Sequence, residues 1–141
     1  MRLEKHFDVD RPPEQAAQIL AEEETLVGLF PDAETQIVAR EGPRRTVVAH
    51  YRILGREGEA RFHFDQREDG SIGFEKVCDG HLFRELRGSV EVAPRGSGAR
   101  ISIRMQGGTK ALVPEFTIKG PMRDQIEQMA RALRERIESS R

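Results

Sequence analysis

The sequence predicts an α+β fold in which a curved antiparallel sheet of seven strands packs against one long C-terminal helix. Short segments of alternating apolar and polar residues follow one another from residue 34 to residue 105, separated by turns that contain glycine. This pattern is typical of an antiparallel meander. Near the C-terminus, apolar residues recur three and four positions apart, which indicates a helix with one apolar face. A sheet with one apolar face needs a cover, and this helix can supply it.

The individual elements follow from local signals. The first strand is predicted at residues 3–9, and Asp10 followed by Pro12 and Pro13 predicts a capped helix over residues 12–24, with a second short helix over 25–30. The other six strands are predicted at residues 35–40, 45–54, 59–66, 72–77, 82–92 and 100–106. Gly107 and Gly108 are interpreted as a hinge, and Pro121 as the start of the long helix.

One hairpin allows the strand register to be predicted. A two-residue turn centred on Arg56 and Glu57 would join the third and fourth strands. The pairs that follow are Ala49 with Phe64, Tyr51 with Phe62 and Ile53 with Ala60 on the buried face, and His50 with His63 on the other face. The apolar residues then share one side of the sheet, which favours this arrangement.

Composition excludes several classes of protein. The length of 141 residues fits one domain covering residues 1–141. The 23 basic and 24 acidic residues are interspersed, which argues against a nucleic-acid-binding stripe or a membrane-surface patch. No apolar run is long enough for a membrane span and no signal peptide is recognised, so a cytoplasmic location is expected. Arginine outnumbers lysine 19 to 4 and asparagine is absent, as in GC-rich or heat-adapted sources.

Three stretches resemble the START and Bet v 1 (SRPBCC) superfamily of helix-grip proteins, nearest the bacterial polyketide cyclase/dehydrase and coenzyme-Q-binding group. They are Pro13-Glu14 at the first helix, Leu29-Phe30-Pro31 before the second strand, and the segment from Asp79 to Leu86 followed by Gly88. His81 stands where relatives usually have proline, and the chain has no tryptophan. The resemblance implies a helix-grip fold with a hydrophobic cavity between the sheet and the C-terminal helix.

The function expected from these observations is noncatalytic binding or carriage of a small hydrophobic ligand, such as a lipid, an isoprenoid or a polyketide-like compound, without a cofactor. The predicted cavity residues are Tyr51, Ile53, Phe62, Phe64, Phe74, Leu86, Val90, Ile103, Met105, Phe116, Met122, Ile126, Met129 and Leu133. Arg84 is expected at the rim. Two alternatives stay open: a cyclase or dehydratase with Tyr51 or Glu85 as the proton-transfer group, and a protein-interaction module associated with ribosomes or chaperones. The oligomeric state is not predicted.

Other polar clusters give weaker signals. His50 and His63 with Asp65 make an incomplete ligand set, so no metal site is expected. Cys78 and His81 are close in sequence, but neighbours in a turn usually point apart, which argues against a nucleophilic pair. The glycines at positions 96 and 98 lack the lysine and helix of a phosphate-binding loop.

Overall fold

The computed structural model describes residues 1–53, 56–80 and 82–139. The strands are β1 (Arg2–Val9), β2 (Ala33–Glu41), β3 (Arg44–Ile53), β4 (Arg56–Gln66), β5 (Ile72–Lys76), β6 (Phe83–Arg95) and β7 (Gly98–Thr109). Two short helices, α1 (Pro13–Ala21) and α2 (Glu23–Val27), follow β1, and α3 (Phe116–Ser139) follows β7. The predicted helix-grip architecture is confirmed.

All seven strands form one antiparallel sheet in the order β1-β7-β6-β5-β4-β3-β2. Neighbours in sequence pair with each other except at β1, which crosses the molecule to pair with β7. The α1 and α2 helices make this crossing, so the two edge strands are the two that flank them. The sheet remains open between β1 and β2.

Helix α3 covers only part of the inner face of this sheet. It packs mainly against β1, β7 and α1. Its apolar stripe is almost fully buried there, and consists of Ile118, Met122, Ile126, Met129, Leu133 and Ile137. Lys5, the one polar residue on the inner face of β1, lies at this contact, where its ammonium donates to Glu127 of α3 at 2.7 Å. Strands β2, β3 and β4 form the other half of the sheet, away from the two strands that α3 contacts most.

The predicted register of the β3–β4 hairpin is wrong by four positions, because Ala49 pairs with Ala60 and Tyr51 pairs with Gly58. The strand β4 already begins at Arg56, so Arg56 and Glu57 are paired residues rather than turn residues. Of the predicted turn, Gly55 lies outside the described residues. A shift by an even number keeps every side chain on its predicted face. His63 lies opposite Thr46 instead of His50, and its Nδ1 is 2.9 Å from the Thr46 hydroxyl.

Three local predictions also differ from the structure. Helix α3 begins at Phe116, so Pro121 lies inside it, and the burial of Ile118 in the core explains why the helix starts earlier. Gly107 and Gly108 are not a hinge, because both lie in β7 and pair with β6. The N-cap of α1 is Pro12, with no side-chain cap, so Asp10 does not cap it.

Candidate functional site

The inner face of the sheet carries large side chains at one end and small ones at the other. Along β4, the inward residues pass from Phe64 and Phe62 to Ala60 and then Gly58 toward the β3–β4 hairpin. Their partners on β3 include Ala49, which is also small. Large residues fill the space under α3, whereas these small residues leave space beyond it.

A cavity of about 740 Å³ occupies this space between the small-residue end of the sheet and the first half of α3. This volume lies in the range of small-molecule sites in proteins. Its wall is mostly apolar. The lining residues are Phe30, Asp32, Ala33, Ala49, Tyr51, Ala60, Phe62, Lys76, Phe83, Leu86, Pro121, Met122, Asp124, Gln125 and Gln128.

A row of four phenylalanine rings connects the cavity with the core. The rings of Phe30 and Phe62 stack with centroids 5.0 Å apart, and Phe62 lies 6.1 Å from Phe64. Phe74 continues the row at 6.1 Å from Phe64. Phe30 and Phe62 line the cavity, while Phe64 and Phe74 are buried below it. Aromatic contacts of this kind fix the apolar wall in place.

Two polar side chains of the cavity wall could orient a ligand. The Lys76 ammonium lies 5.3 Å from the centroid of the Phe83 ring, a cation–π contact. The side-chain nitrogen of Gln125 is buried and has no hydrogen-bond partner among the described residues. A buried donor without a partner is costly, so this amide favours an oxygen acceptor that enters from the cavity.

Tyr51 lies at the mouth of the cavity, where it is 37% exposed. Its ring lies against Gly58, since a Cβ atom at that glycine would come within 2.5 Å of the ring. Any side chain at position 58 would displace the ring. The glycine therefore positions the tyrosine hydroxyl beside the opening.

The structure distributes the sequence-predicted cavity residues over three locations. Tyr51, Phe62, Leu86 and Met122 line the cavity. Phe64, Phe74, Val90, Ile103, Met105, Ile126, Met129 and Leu133 are buried in the core. Phe116 is 76% exposed at the start of α3, and the side chain of Ile53 lies outside the described part. Their contact with a ligand stays a prediction.

Glu85 and Arg84 do not line the cavity. The β6–β7 pairing shifts between Phe83 and Glu85, which is a bulge. A bulge changes the direction of the neighbouring side chains. Phe83 therefore lies in the cavity wall, while Arg84 is exposed and Glu85 contacts Gln106 at 3.5 Å, outside the cavity wall.

Sequence reasoning missed Phe30, Phe83, Lys76 and Gln125. A signal existed for Lys76, because the alternation that places Phe74 inward also places Lys76 inward. Gln125 directly precedes a residue of the apolar stripe on α3, which placed it at the border of the buried face. The position of Phe83 depends on the bulge, for which the sequence carried no local sign.

The remaining candidate clusters show no reactive geometry in the described residues. Burial raises the pKa of the Cys78 thiol, whereas a nucleophilic cysteine needs a lowered pKa. Its Sγ lies 3.4 Å from the carbonyl oxygen of Lys76, and His81 lies outside the described residues. No group of three or more histidine, cysteine or acidic residues in the described ranges could hold a metal ion.

A second groove, of about 860 Å³, lies on the outer face of the sheet. Its wall carries many charged side chains, and several are paired. The Arg44 guanidinium donates to both carboxylate oxygens of Asp65 at 2.8 and 3.0 Å. This hydrogen bonding lowers the pKa of Asp65. A wall with so many charged side chains is unsuited to an apolar ligand, so the inner cavity is the better candidate although it is smaller.

The sequence of residues 1–138 matches a family described as polyketide cyclase / dehydrase and lipid transport. The chain therefore belongs to this family, and the predicted resemblance is confirmed. No curated protein sequence matches it. None of the helices in the described ranges is long and apolar enough to cross a lipid bilayer.

Solved structures with the same fold come from several bacteria. A protein from Thermus thermophilus is similar with a TM-score of 0.77 and 19% identity over 97% of each chain. The Zhui aromatase/cyclase from a Streptomyces species has a TM-score of 0.82 and 13% identity, over 98% of this chain and 93% of that chain. A START superfamily protein from Mycobacterium smegmatis has a TM-score of 0.74 and 20% identity over 97% of each. At these identities the likeness shows the fold alone.

Proposed function

We propose that this protein binds a small hydrophobic molecule that carries an oxygen acceptor, and that the cavity between the sheet and α3 is the binding site. The observation that carries the proposal is the cavity of about 740 Å³ with its mostly apolar wall. Apolar burial would supply most of the binding free energy. The family, whose description includes lipid transport, supports the same class of ligand.

Gln125 and Lys76 would set the orientation of the ligand in the cavity. The unpartnered Gln125 amide would donate to a carbonyl or hydroxyl oxygen, and the Lys76 ammonium, which also lies in the cavity wall, would attract an oxygen-bearing group. The apolar body would lie against Phe30 and Phe62, which are stacked with their ring centroids 5.0 Å apart. An isoprenoid quinone fragment, a fatty acyl group or a polyketide-like compound has this division into an apolar body and an oxygen-bearing end.

Binding is favoured over catalysis because the described residues include no buried charged residue that could serve as an acid or a base. A cyclase needs an acid or a base held in apolar surroundings, where burial moves its pKa toward neutrality. Among the described residues, Thr25, Thr46 and Ser71 are the polar residues that are buried as a whole, and no charged residue is buried in this way. Of the two catalytic candidates, only Tyr51 reaches the cavity wall.

The proposal is tested by uptake of anilinonaphthalene sulfonate, an anionic amphiphile whose fluorescence rises when its aromatic part enters apolar surroundings. Ala60→Phe fills space at the cavity wall, so we expect it to abolish uptake while leaving the unfolding midpoint nearly unchanged. Met129→Trp is the matched control. Met129 is 1% exposed in the packed core, so its enlargement is expected to destabilise the fold by about 1–3 kcal/mol. The folded fraction of this control should still take up the probe.

Two results would contradict the proposal. One is a parent protein that does not bind the probe, and the other is an Ala60→Phe variant that binds it as the parent does. Native mass spectrometry of protein purified from its own host then identifies any retained ligand. A retained molecule without an oxygen acceptor would remove the role assigned to Gln125.

A further inference from the structure

Residues 111–116 connect β7 to the first residue of α3 and expose apolar side chains to water; we call this segment the apolar lip. Leu112 is 103% exposed and Phe116 is 76% exposed, more than any other large apolar side chain in the described ranges. Ala111 and Pro114 are exposed as well. Large apolar side chains that lie together in water mark a surface that contacts another body.

The lip is held in place by hydrogen bonds. The Val113 N–H donates to the carbonyl of Lys110 at 3.1 Å, and the amino group of Met1 donates to the Glu115 carboxylate at 2.8 Å. Leu112 has a φ of 68°, in the left-handed region where a leucine is strained. The backbone therefore holds this side chain in water at an energetic cost.

The lip adjoins the cavity on both of its sides. Before the lip, Thr109 at the end of β7 pairs with Phe83 of the cavity wall. After the lip, α3 continues to Pro121 and Met122, which line the same wall. A surface that contacts the lip would therefore lie next to the elements that carry this part of the cavity wall.

Basic side chains extend the lip along α3. Lys119 and Arg123 follow Phe116 at intervals of three and four residues, so the three side chains share one exposed face of the helix. Neither basic residue has an ion-pair partner among the described residues. From Lys110 to Arg123 the chain carries three basic residues and only Glu115 as an acidic one, whereas the whole chain has a net charge of −1. The even overall balance, which argued against a membrane-surface patch, hides this local excess.

We propose that the apolar lip, with Lys119 and Arg123, docks this protein onto an anionic lipid bilayer, from which the cavity receives its ligand. The inference rests on the proposed function. Apolar side chains of this kind enter the boundary between headgroups and acyl chains, and basic side chains attract anionic headgroups. Leu112 protrudes without neighbours around it, which suits insertion into a bilayer better than a protein interface, where anchor residues are enclosed in pockets.

The test is cosedimentation of the full chain with vesicles of phosphatidylcholine mixed with phosphatidylserine. We expect the parent protein to bind these vesicles more tightly than vesicles of phosphatidylcholine alone. Leu112→Asp combined with Phe116→Asp should weaken binding at least about tenfold, because the inserted apolar area is lost. Lys119→Gln combined with Arg123→Gln should weaken it about fivefold per residue, and only on the mixed vesicles.

Matched controls replace similar residues elsewhere. Val38→Asp changes another exposed apolar residue, on the edge strand β2, and Arg131→Gln changes a basic residue farther along α3; both should bind as the parent does. Unfolding midpoints and probe uptake without vesicles are measured on every variant. A parent that takes up the probe but ignores mixed vesicles overturns the docking proposal and leaves the cavity proposal intact. Lip variants that fold and bind vesicles as the parent does overturn it too. A parent that neither takes up the probe nor binds vesicles overturns both proposals.

Discussion

The side-chain amide of Gln125 lowers the stability of the ligand-free protein and is suited to bind a ligand. The buried nitrogen of Gln125 has no partner in the part of the chain that the structure describes, and such a group costs roughly 1–3 kcal/mol. An apolar residue of the same length would pack against the cavity wall without this cost. The polar residue is explained if a ligand supplies the missing acceptor.

We therefore predict that Gln125→Met stabilises the ligand-free protein. Methionine has a similar volume, so the expected gain is up to about 1 kcal/mol in the free energy of unfolding, measured by urea denaturation. The matched control is Gln128→Met, since the Gln128 amide already donates to Asp32 at 3.2 Å. This control should bring no gain. A loss of stability in Gln125→Met would show that the amide is satisfied in the free protein.

At the scale of elements, one carboxylate connects α2 to two strands. Glu23 accepts hydrogen bonds from Arg40 of β2 at 2.7 and 2.8 Å and from Arg45 of β3 at 2.9 Å. The Arg40 guanidinium, with Arg45, lowers the pKa of Glu23 to about 2. This cluster fixes α2 beside the strands that carry the small-residue end of the sheet.

The cluster predicts a specific pH dependence. A carboxyl whose pKa falls on folding contributes stability above its unfolded pKa, near 4.5, and loses that contribution as the pH falls toward about 2. The difference in unfolding free energy between the parent and Glu23→Gln should therefore shrink as the pH decreases through this window. Glu34→Gln, which removes an exposed carboxylate of β2 that has no ion pair among the described residues, is the control for the loss of a surface charge alone. A constant difference for Glu23→Gln would exclude the charge as the cause.

The sequence predicted the elements well because periodicity is a local property. Alternation located all seven strands, and the four-and-three spacing located α3. The predicted β3–β4 register is wrong because it treats the glycines at positions 55 and 58 as the two ends of one turn, whereas Gly58 is a paired residue of β4 opposite Tyr51. Since the predicted and observed registers differ by an even number of residues, the faces were still correct.

The cavity was less predictable, because empty space depends on distant elements. Ala49 and Ala60 look like ordinary core residues in sequence. They border a cavity only because α3 packs mainly against β1 and β7, which lie at the opposite edge of the sheet from β2 and β3. For the same reason Met129, on the predicted stripe, lies in filled core instead of at the cavity.

The whole molecule thus has two halves with different packing. Strands β1 and β7 with α3 form a continuous core, while β2, β3 and the hairpin end of β4 border the cavity. Regions with fewer buried contacts open at a lower free energy. The fold therefore combines a rigid frame with a side that can adjust to ligands of different shape.

Hydrogen exchange should show this division. We predict the slowest amides in the centres of β6 and β7 and in the middle of α3, and faster exchange near Tyr51 and Ala60. Saturation with anilinonaphthalene sulfonate should slow the second group, because a filled cavity adds contacts there. Uniform protection across the sheet, or probe-induced protection confined to β1 and β7, would contradict this division.

The placement of Tyr51 against Gly58 also gives the protein an optical property. The chain contains one tyrosine and no tryptophan. Because phenylalanine emits only weakly, the near-ultraviolet emission of this protein comes almost entirely from a single ring, and that ring borders the opening of the cavity. The fluorescence of Tyr51 therefore reports on the cavity without any added label. Quenching of this fluorescence, or energy transfer from it, would record the entry of an unlabelled compound in real time.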